Sequence, residues 1–281
     1  MTTGEKLAAA RKAAGYTQEK LAEELGVSFQ AVSTWERNET LPDTRHLKAL
    51  SKALRISLDR LLGEEELPPW EWKSHTFDTD RMYTYVKARA QAEGLVQTLA
   101  ALPLMREKHR GQLRAARTAE TPYANHPLTL ACHALAMGLV DDDVLAAALL
   151  HDVVEDTGTP PGELPVSGRV REAVCLVSYN TYLKSGEDTD PDRKNEIKPV
   201  YYANIGKNPL AALVKCMDRC NNLACMADGF SRRKMASYVL QTEKYVLPLL
   251  DVIREVPEYN NAAWLLRYQM MTMLETFKRL L

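Results

Sequence analysis

Apolar residues recur at helical spacing along the whole chain, and no long segment alternates apolar and polar residues as a half-buried strand does. Near the N-terminus, short amphipathic segments are separated by Gly15, Gly26 and Pro42, residues that favour turns. From Asp80 onward the apolar segments are longer, and we expect Pro103 to break the second of them. The pattern predicts an all-α protein.

An acidic run followed by two prolines, Glu64–Pro69, separates these two patterns and indicates a domain boundary. We expect a first domain over residues 1–63, a linker over residues 64–76 and a second domain over residues 77–281. Three aromatic residues near the junction are expected to pack against the second domain: Trp70, Trp72 and Phe77.

Composition limits the classes of partner and compartment. The formal net charge of −1 excludes bulk attraction of nucleic acid, so any DNA binding must depend on a local patch. The five cysteines form no CxxC pair, which favours a reducing compartment. No apolar run approaches the roughly 20 residues that a membrane span needs, and the N-terminus lacks the features of a signal peptide. We expect a cytoplasmic protein with no membrane association.

Two short helices joined at Gly26 are expected in the first domain, with Thr17 and Ser28 as their N-caps. The stretch Thr17–Arg37, with Leu41-Pro42 behind it, closely resembles the helix-turn-helix of the Cro/phage-repressor (XRE) family. The resemblance implies binding to double-stranded DNA, with phosphate contacts and base contacts from separate side chains. The residues implied in DNA binding are Gln18, Ser28, Phe29, Gln30, Thr34 and Arg37.

The chemistry of the second predicted helix agrees with that role, because the amide of Gln30 can pair with adenine and Phe29 can contact a thymine methyl group. The alternative is a module that docks protein, since residues 1–62 carry ten Lys and Arg against eight Asp and Glu. Phosphate contacts dominate affinity for DNA, so one weakly basic copy should bind poorly. We therefore expect a homodimer that reads two half-sites.

The most unusual stretch in the second domain follows an apolar segment, Val144–Leu150. On a continuous helix, one face would carry His151, Asp152, Glu155 and Asp156. Burying these groups costs several kcal/mol unless something pairs with them. One His and three carboxylates on a face indicate a site for a metal ion and a water molecule. The alternative is a solvated helix end, because Gly158 follows.

Further metal ligands must converge from other elements. His126, at the start of a predicted helix over 127–137, is favoured over His133, which lies inside that helix. His75 and His109 lie in charged surroundings and are expected to be exposed. Far downstream, Asp218 interrupts an apolar helix and shares a face with a residue four positions later, Asn222. An exposed Asp-Arg pair is the alternative there, but the flanking apolar residues favour burial.

The order His126, His151-Asp152, Asp218 resembles the signature of the HD phosphohydrolases. Leu149–Thr157, with its second carboxylate pair, resembles more specifically the (p)ppGpp-hydrolase domain of RelA/SpoT-type and small alarmone hydrolases, over roughly residues 77–250. The resemblance implies a helical HD fold and hydrolysis of the 3′-pyrophosphate of a guanosine nucleotide. It implies Mn²⁺, or another divalent transition metal, held by His126, His151, Asp152 and Asp218.

The same resemblance gives roles to four more residues. Glu155 and Asp156 would position and deprotonate the attacking water, Arg117 would lie against the guanine base, and Asn222 would hold the ribose end. Asn221 departs from the family, which usually has a His there. Two alternatives stay open: a regulator that senses a nucleotide without turnover, and an HD phosphohydrolase for another nucleotide. The domain architecture leaves a third alternative open, an antitoxin partner of an alarmone-synthetase-like toxin.

The C-terminal part, residues 231–281, is expected to form two long helices, the last of which could serve as a dimer face. The polar segment Ser185–Glu196 is expected to be a solvated loop, with a pocket lid as the alternative. We expect no synthetase domain after the hydrolase domain.

Overall fold

The computed structural model describes residues 2–54, 56, 58–62, 78–114, 121–183 and 191–281. Their regular secondary structure is helical apart from two strands of two residues each, which confirms the predicted all-α class. The chain divides into two compact units, Met1–Lys73 and Ser74–Leu281. Trp70, Trp72, His75 and Phe77 lie outside the described residues, and so does Arg117. No helix in the described ranges is long and apolar enough to cross a membrane.

The described part of the first unit contains five short helices. Thr17 and Ser28 cap α2 and α3 as predicted, because their side chains accept hydrogen bonds from the backbone N–H groups of Lys20 and Ala31. Gly26 follows α2 in the left-handed conformation, with φ of 66°. The helices are α1 (Thr3–Ala13), α2 (Gln18–Leu25), α3 (Phe29–Glu36), α4 (Thr44–Leu54) and α5 (Leu58–Leu62).

A buried ion pair lies beside the apolar core of this unit. Arg11 Nε is 2.6 Å from Glu36 Oε1, and Arg11 Nη2 is 3.1 Å from Glu36 Oε2. Gln18 Nε2 also donates to Glu36 Oε2, at 2.6 Å. The carboxylate therefore ties α1, α2 and α3 together. The core itself consists of Leu7, Leu21, Ala22, Val32, Trp35, Leu50, Leu54 and Leu61.

The second unit consists of helices around α9, with one short antiparallel ladder in which Arg114 lies opposite Thr121. Its elements are α6 (Thr79–Glu93), α7 (Val96–Lys108), β1 (Leu113–Arg114), β2 (Thr121–Pro122), α8 (Asn125–Ala136), α9 (Asp142–Leu150), α10 (Val153–Thr157), α11 (Gly168–Val177), α12 (Pro191–Ile205), α13 (Pro209–Gly229), α14 (Arg232–Gln241), α15 (Leu249–Arg254) and α16 (Asn260–Leu280).

Helix α9 is the centre of the second core. All seven residues Val144–Leu150 are buried, and the helix packs against α7, α8, α11 and α13. Its N-terminus also fixes α7, because the carboxylate of Asp142 accepts hydrogen bonds from the backbone N–H groups of Gln97 and Thr98. The polar stretch that follows Leu150 therefore begins at the end of a fully buried helix.

Two predictions about helix ends were wrong. Helix α7 continues through Pro103 to Lys108, because the proline is exposed while Leu102 and Met105 on the opposite side are buried. Packing of that buried side outweighs the missing N–H of the proline. The first long C-terminal helix is instead α14, a π-helical turn over Thr242–Val246, and α15 after Pro248. The part of the predicted loop from Pro191 onward lies in α12 instead, and the part before Pro191 lies outside the described residues.

Candidate metal centre and DNA-binding surface

Three elements bring the predicted metal ligands together. His126 lies in the first turn of α8, His151 and Asp152 lie between α9 and α10, and Asp218 lies in the middle of α13. The side chains of His126, His151 and Asp218 are nearly inaccessible, at 3%, 2% and 9% exposure, and that of Asp152 is 20% exposed. Their burial together is the arrangement that the apolar surroundings predicted.

The candidate ligand atoms lie at the separations that one metal ion requires. His151 Nε2 is 3.0 Å from Asp152 Oδ2. His126 Nε2 is 3.2 Å from His151 Nε2, 3.3 Å from Asp218 Oδ1 and 3.6 Å from Asp152 Oδ2. Ligands about 2.1 Å from one ion are separated by roughly 3.0 Å at right angles and roughly 3.4 Å at tetrahedral angles. His126, His151 and Asp218 therefore each offer a ligand atom to one site that could hold a metal ion, and Asp152 Oδ2 lies beside the two histidine nitrogens.

The remaining ring nitrogens have acceptors. His151 Nδ1 is 2.9 Å from the carbonyl oxygen of Ala148, and His126 Nδ1 is 2.8 Å from Asn221 Oδ1. Protons on both Nδ1 atoms leave two Nε2 lone pairs that face each other and two carboxylates. Such a cluster is repulsive unless a metal ion, or a proton on one of the two Nε2 atoms, supplies positive charge among its atoms. The mixed nitrogen and oxygen donors suit a divalent transition metal.

Charges within the cluster decide the protonation of its members. Burial lowers the pKa of the His151 imidazole, but the neighbouring Asp152 carboxylate outweighs it and raises that pKa to about 9. Burial raises the pKa of Asp218, but the Lys215 ammonium and the His126 and His151 imidazoles together outweigh it and hold that pKa well below its usual range. Lys215 Nζ lies 3.0 Å from Asp218 Oδ2. A proton on His151 thus supplies positive charge that a metal ion would replace.

Glu155 and Asp156 do not lie on a continuation of α9. The helix ends at Leu150, a turn contains His151 and Asp152, and α10 begins at Val153. The prediction of one continuous helix was therefore wrong, since the helix breaks where the ligands face the cluster. Glu155 Oε2 accepts a hydrogen bond from the backbone N–H of Tyr179 at 2.7 Å. Burial raises the pKa of the Glu155 and Asp156 carboxyls, and both interact electrostatically with Asp152.

Most of the predicted DNA-binding residues lie on or next to α3. Ser28 caps the helix, and Phe29 and Gln30 are exposed in its first turn. Thr34 is half-buried, and its hydroxyl donates to the carbonyl oxygen of Ala31. Arg37 is exposed and forms an ion pair with Glu39, with Nε and Oε1 2.7 Å apart. Gln18, in contrast, points at Glu36 and serves the core of this unit.

Comparison with known proteins shows to which protein family each of the two units is similar. The family described as Helix-turn-helix (HTH_3) matches residues 7–61. The chain is 32% identical over 171 residues to the human guanosine-3′,5′-bis(diphosphate) 3′-pyrophosphohydrolase MESH1, an alignment that spans 58% of this chain and 89% of the human protein. The chain belongs to the MESH1 family of hydrolases. In it, an XRE-type helix-turn-helix domain is joined to the hydrolase domain of that family.

Two other relatives match one part of the chain each. The HTH-type transcriptional activator BcrR of Enterococcus faecalis is 36% identical over 86 residues, 31% of this chain and 42% of that activator. The bifunctional (p)ppGpp synthase/hydrolase SpoT of Escherichia coli is 31% identical over 140 residues, 48% of this chain and 19% of SpoT. The chain thus spans less than half the length of these two relatives.

The sequence patterns missed an aromatic pair beside the hydrolase site. The Tyr123 hydroxyl donates to Asp152 Oδ2 at 2.7 Å, and its ring stacks on His109 with ring centroids 4.7 Å apart. His109 is 3% exposed, so the prediction of an exposed histidine was wrong. His109 follows α7 directly, and the packing of α7 against the core places this histidine in the interior. The feature of the sequence that could have identified this pair is the position of Tyr123, three residues before His126.

Arg114 is a second residue that the patterns missed. Its Nη1 lies 3.1 Å from Asn221 Oδ1, and its Nη2 donates to Asn222 Oδ1. Asn222 in turn donates through Nδ2 to Asp218 Oδ1. The predicted substrate residue Asn222 therefore lies at the metal centre, and Arg114 is the described arginine that contacts it. The place of Arg117 stays a prediction.

A cavity of about 760 Å³ lies on the other side of Asn221, between α6, α8, α13 and α16. His133 lines it together with Cys132, Cys220 and Gln269. None of the four candidate metal ligands lines this cavity. His133 therefore lies apart from the cluster, as the preference for His126 over His133 expected.

Proposed function

We propose that this protein is a metal-dependent hydrolase that removes the 3′-pyrophosphate from guanosine-3′,5′-bis(diphosphate) or a close analogue, and that its first domain binds a specific DNA sequence. The convergence of His126, His151, Asp152 and Asp218 on one ion-sized space carries the proposal. The similarity to MESH1, whose name gives this reaction, indicates the substrate class. Manganese is the metal that we propose, and the donor set supports it.

The protein's own groups would handle the water and the substrate. When bound, the ion polarises the phosphate and lowers the pKa of a coordinated water. Glu155 would take the proton of the attacking water, because the Tyr179 amide holds its carboxylate in place and its raised pKa makes it a stronger base than an ordinary carboxylate. Asp156 would assist in positioning the water.

In the proposed reaction, water attacks the phosphorus attached to the 3′-oxygen. The bond between that phosphorus and the 3′-oxygen breaks, the nucleotide leaves with a 3′-hydroxyl, and pyrophosphate is released. Asn222 and Arg114 lie at the edge of the centre, next to Asp218, and would contact the nucleoside end of the substrate. Lys215 would offset part of the negative charge of the site beside the phosphates.

The reaction is tested by incubating purified protein with Mn²⁺ and ppGpp and measuring pyrophosphate. Glu155→Gln should lower turnover by about 10²–10⁴-fold, the usual contribution of a general base, while leaving Mn²⁺ affinity intact. Asp152→Ala should remove both Mn²⁺ binding and turnover. Glu163→Gln, on an exposed turn, is the matched control and should behave as wild type. Tight nucleotide binding without pyrophosphate release by the wild type would contradict hydrolysis and support the sensor alternative.

We propose that the helix-turn-helix domain reads DNA as a homodimer, with Phe29 and Gln30 facing base edges and Arg37 contacting a phosphate. The exposure of these side chains at the start of α3 supports this. Duplexes selected from a randomised pool by the wild type should lose affinity for Gln30→Ala, by about 1–3 kcal/mol for one lost bidentate contact. Gln91→Ala, an exposed glutamine in α6, is the control. Equal affinity of both variants would contradict base recognition by Gln30.

A further inference from the structure

The two histidines of the proposed metal centre are oriented by different kinds of acceptor. His151 Nδ1 faces the carbonyl oxygen of Ala148, and a backbone carbonyl within a helix offers only an acceptor. His126 Nδ1 faces the side chain of Asn221, at 2.8 Å from Oδ1. An amide side chain carries an acceptor at one end and a donor at the other. The tautomer of His126 therefore depends on which end of Asn221 faces it.

The two orientations of the amide have opposite consequences. With Oδ1 facing Nδ1, the proton of the neutral imidazole lies on Nδ1 and the Nε2 lone pair faces Asp218 and His151. With Nδ2 facing Nδ1, the amide would donate to Nδ1, and the imidazole proton would lie on Nε2, where it blocks metal ligation. A flip of one amide is thus enough to remove a ligand from the centre.

Packing alone does not fix this amide, because Asn221 is half-buried and lines the 760 Å³ cavity. Arg114 fixes the orientation of the Asn221 amide, which packing alone does not. Its Nη1 is 3.1 Å from the same Oδ1, and a guanidinium carries donors only. A flipped amide would place its NH₂ group against that donor. Arg114 is itself held by Asn222, which also donates to Asp218.

We propose that Asn221 is a positioning residue that sets the metal-ligating tautomer of His126, and that Arg114 locks the orientation of its amide. The inference rests on the proposed metal site and adds that two residues outside the ligand set decide whether His126 can bind the metal. One arginine on β1 thereby connects to two ligands from different helices, through Asn221 to His126 and through Asn222 to Asp218.

The test measures Mn²⁺ affinity by calorimetry, without substrate. Asn221→Leu keeps the size of the side chain but removes the acceptor, and it should weaken Mn²⁺ binding by about 10–100-fold, as loss of an outer-shell partner does. Asn221→Asp accepts with either oxygen and should bind Mn²⁺ at least as tightly as wild type. Wild-type affinity in Asn221→Leu, to within about threefold, would overturn the proposal.

Arg114 is tested in both backgrounds. Arg114→Leu should weaken Mn²⁺ binding more when residue 221 is Asn than in Asn221→Asp, because a carboxylate has no donor end. The part of the loss that passes through Asn222 is common to both backgrounds. Equal losses in the two backgrounds would overturn the locking role. Ring ¹⁵N shifts of His126 in the metal-free protein should move toward the Nε2–H tautomer in Asn221→Leu; an unchanged spectrum would overturn the tautomer assignment. These readouts need no turnover, so they separate this inference from a failure of the proposed hydrolysis.

Discussion

Lys215 offers a quantitative test of the electrostatics of the hydrolase site. Its Nζ lies 3.0 Å from Asp218 Oδ2, and the two side chains are only 18% and 9% exposed. At an effective dielectric constant of about 20, two unit charges at this separation attract by roughly 5 kcal/mol. Desolvation offsets part of that, and breaking a buried pair costs about 3–5 kcal/mol because one charge stays unpaired.

Lys215→Met should therefore destabilise the metal-free second unit by about 3 kcal/mol. A domain of 150–250 residues loses about 2–4 °C for each kcal/mol, so the thermal midpoint should fall by roughly 10 °C. Added Mn²⁺ should restore more stability to the variant than to the wild type, because the ion replaces the missing positive charge beside Asp218. Lys207→Met removes an exposed lysine whose Nζ donates to Asn204 Oδ1, and it should change neither quantity.

The same variant predicts a change in pH dependence. Burial raises the pKa of Glu155, and the Lys215 ammonium works against that rise. A base must be ionised to accept a proton, so activity should fall as pH drops through the pKa of Glu155. Without Lys215 that pKa rises further, and the acidic limb of the pH–rate profile should move to higher pH. An unchanged thermal midpoint together with an unmoved limb would refute the reasoning.

Three further predictions concern stability. Glu36→Leu should cost the first unit about 3 kcal/mol, because Arg11 loses a two-pronged partner, and adding Arg11→Met should recover most of the loss; an additive double variant would contradict the pairing. Burial raises the pKa of Glu36, but Arg11 and Gln18 together outweigh it and lower that pKa, so this stabilisation is present above the unfolded pKa of about 4.3 and is lost as pH falls further. Chelation by EDTA of protein purified with Mn²⁺ should lower the second unit's thermal midpoint while sparing the first; equal shifts would contradict a metal site confined to the second unit. Pro103→Ala should raise the second unit's midpoint, since it restores an N–H to an exposed turn of α7, and a lower midpoint would show that the ring itself packs.

Local patterns in the sequence were enough for several features. Thr17, Ser28 and Gly26 predicted the helix-turn-helix because capping and turn preferences act within a few residues. The apolar run before His151 predicted a buried helix whose polar end faces a site, and α9 is fully buried. The order His126, His151-Asp152, Asp218 predicted the hydrolase family. It also predicted that these four candidate ligands lie close together.

Tertiary packing decided the features that depend on contacts between distant segments. The stacking of His109 on Tyr123 and the contacts of Arg114 with Asn221 and Asn222 join positions as far as 108 residues apart, and no local pattern records them. The continuation of α7 through Pro103 also depends on tertiary contacts, because the packing of the buried side of the helix outweighs the missing N–H of the proline. The sequence by itself determined the all-α class, the caps of α2 and α3 and the types of candidate ligand, because those follow from short-range periodicity and side-chain chemistry. Only the tertiary structure decided which donors face which acceptors around the ligands, because hydrogen-bond direction depends on where the helices meet.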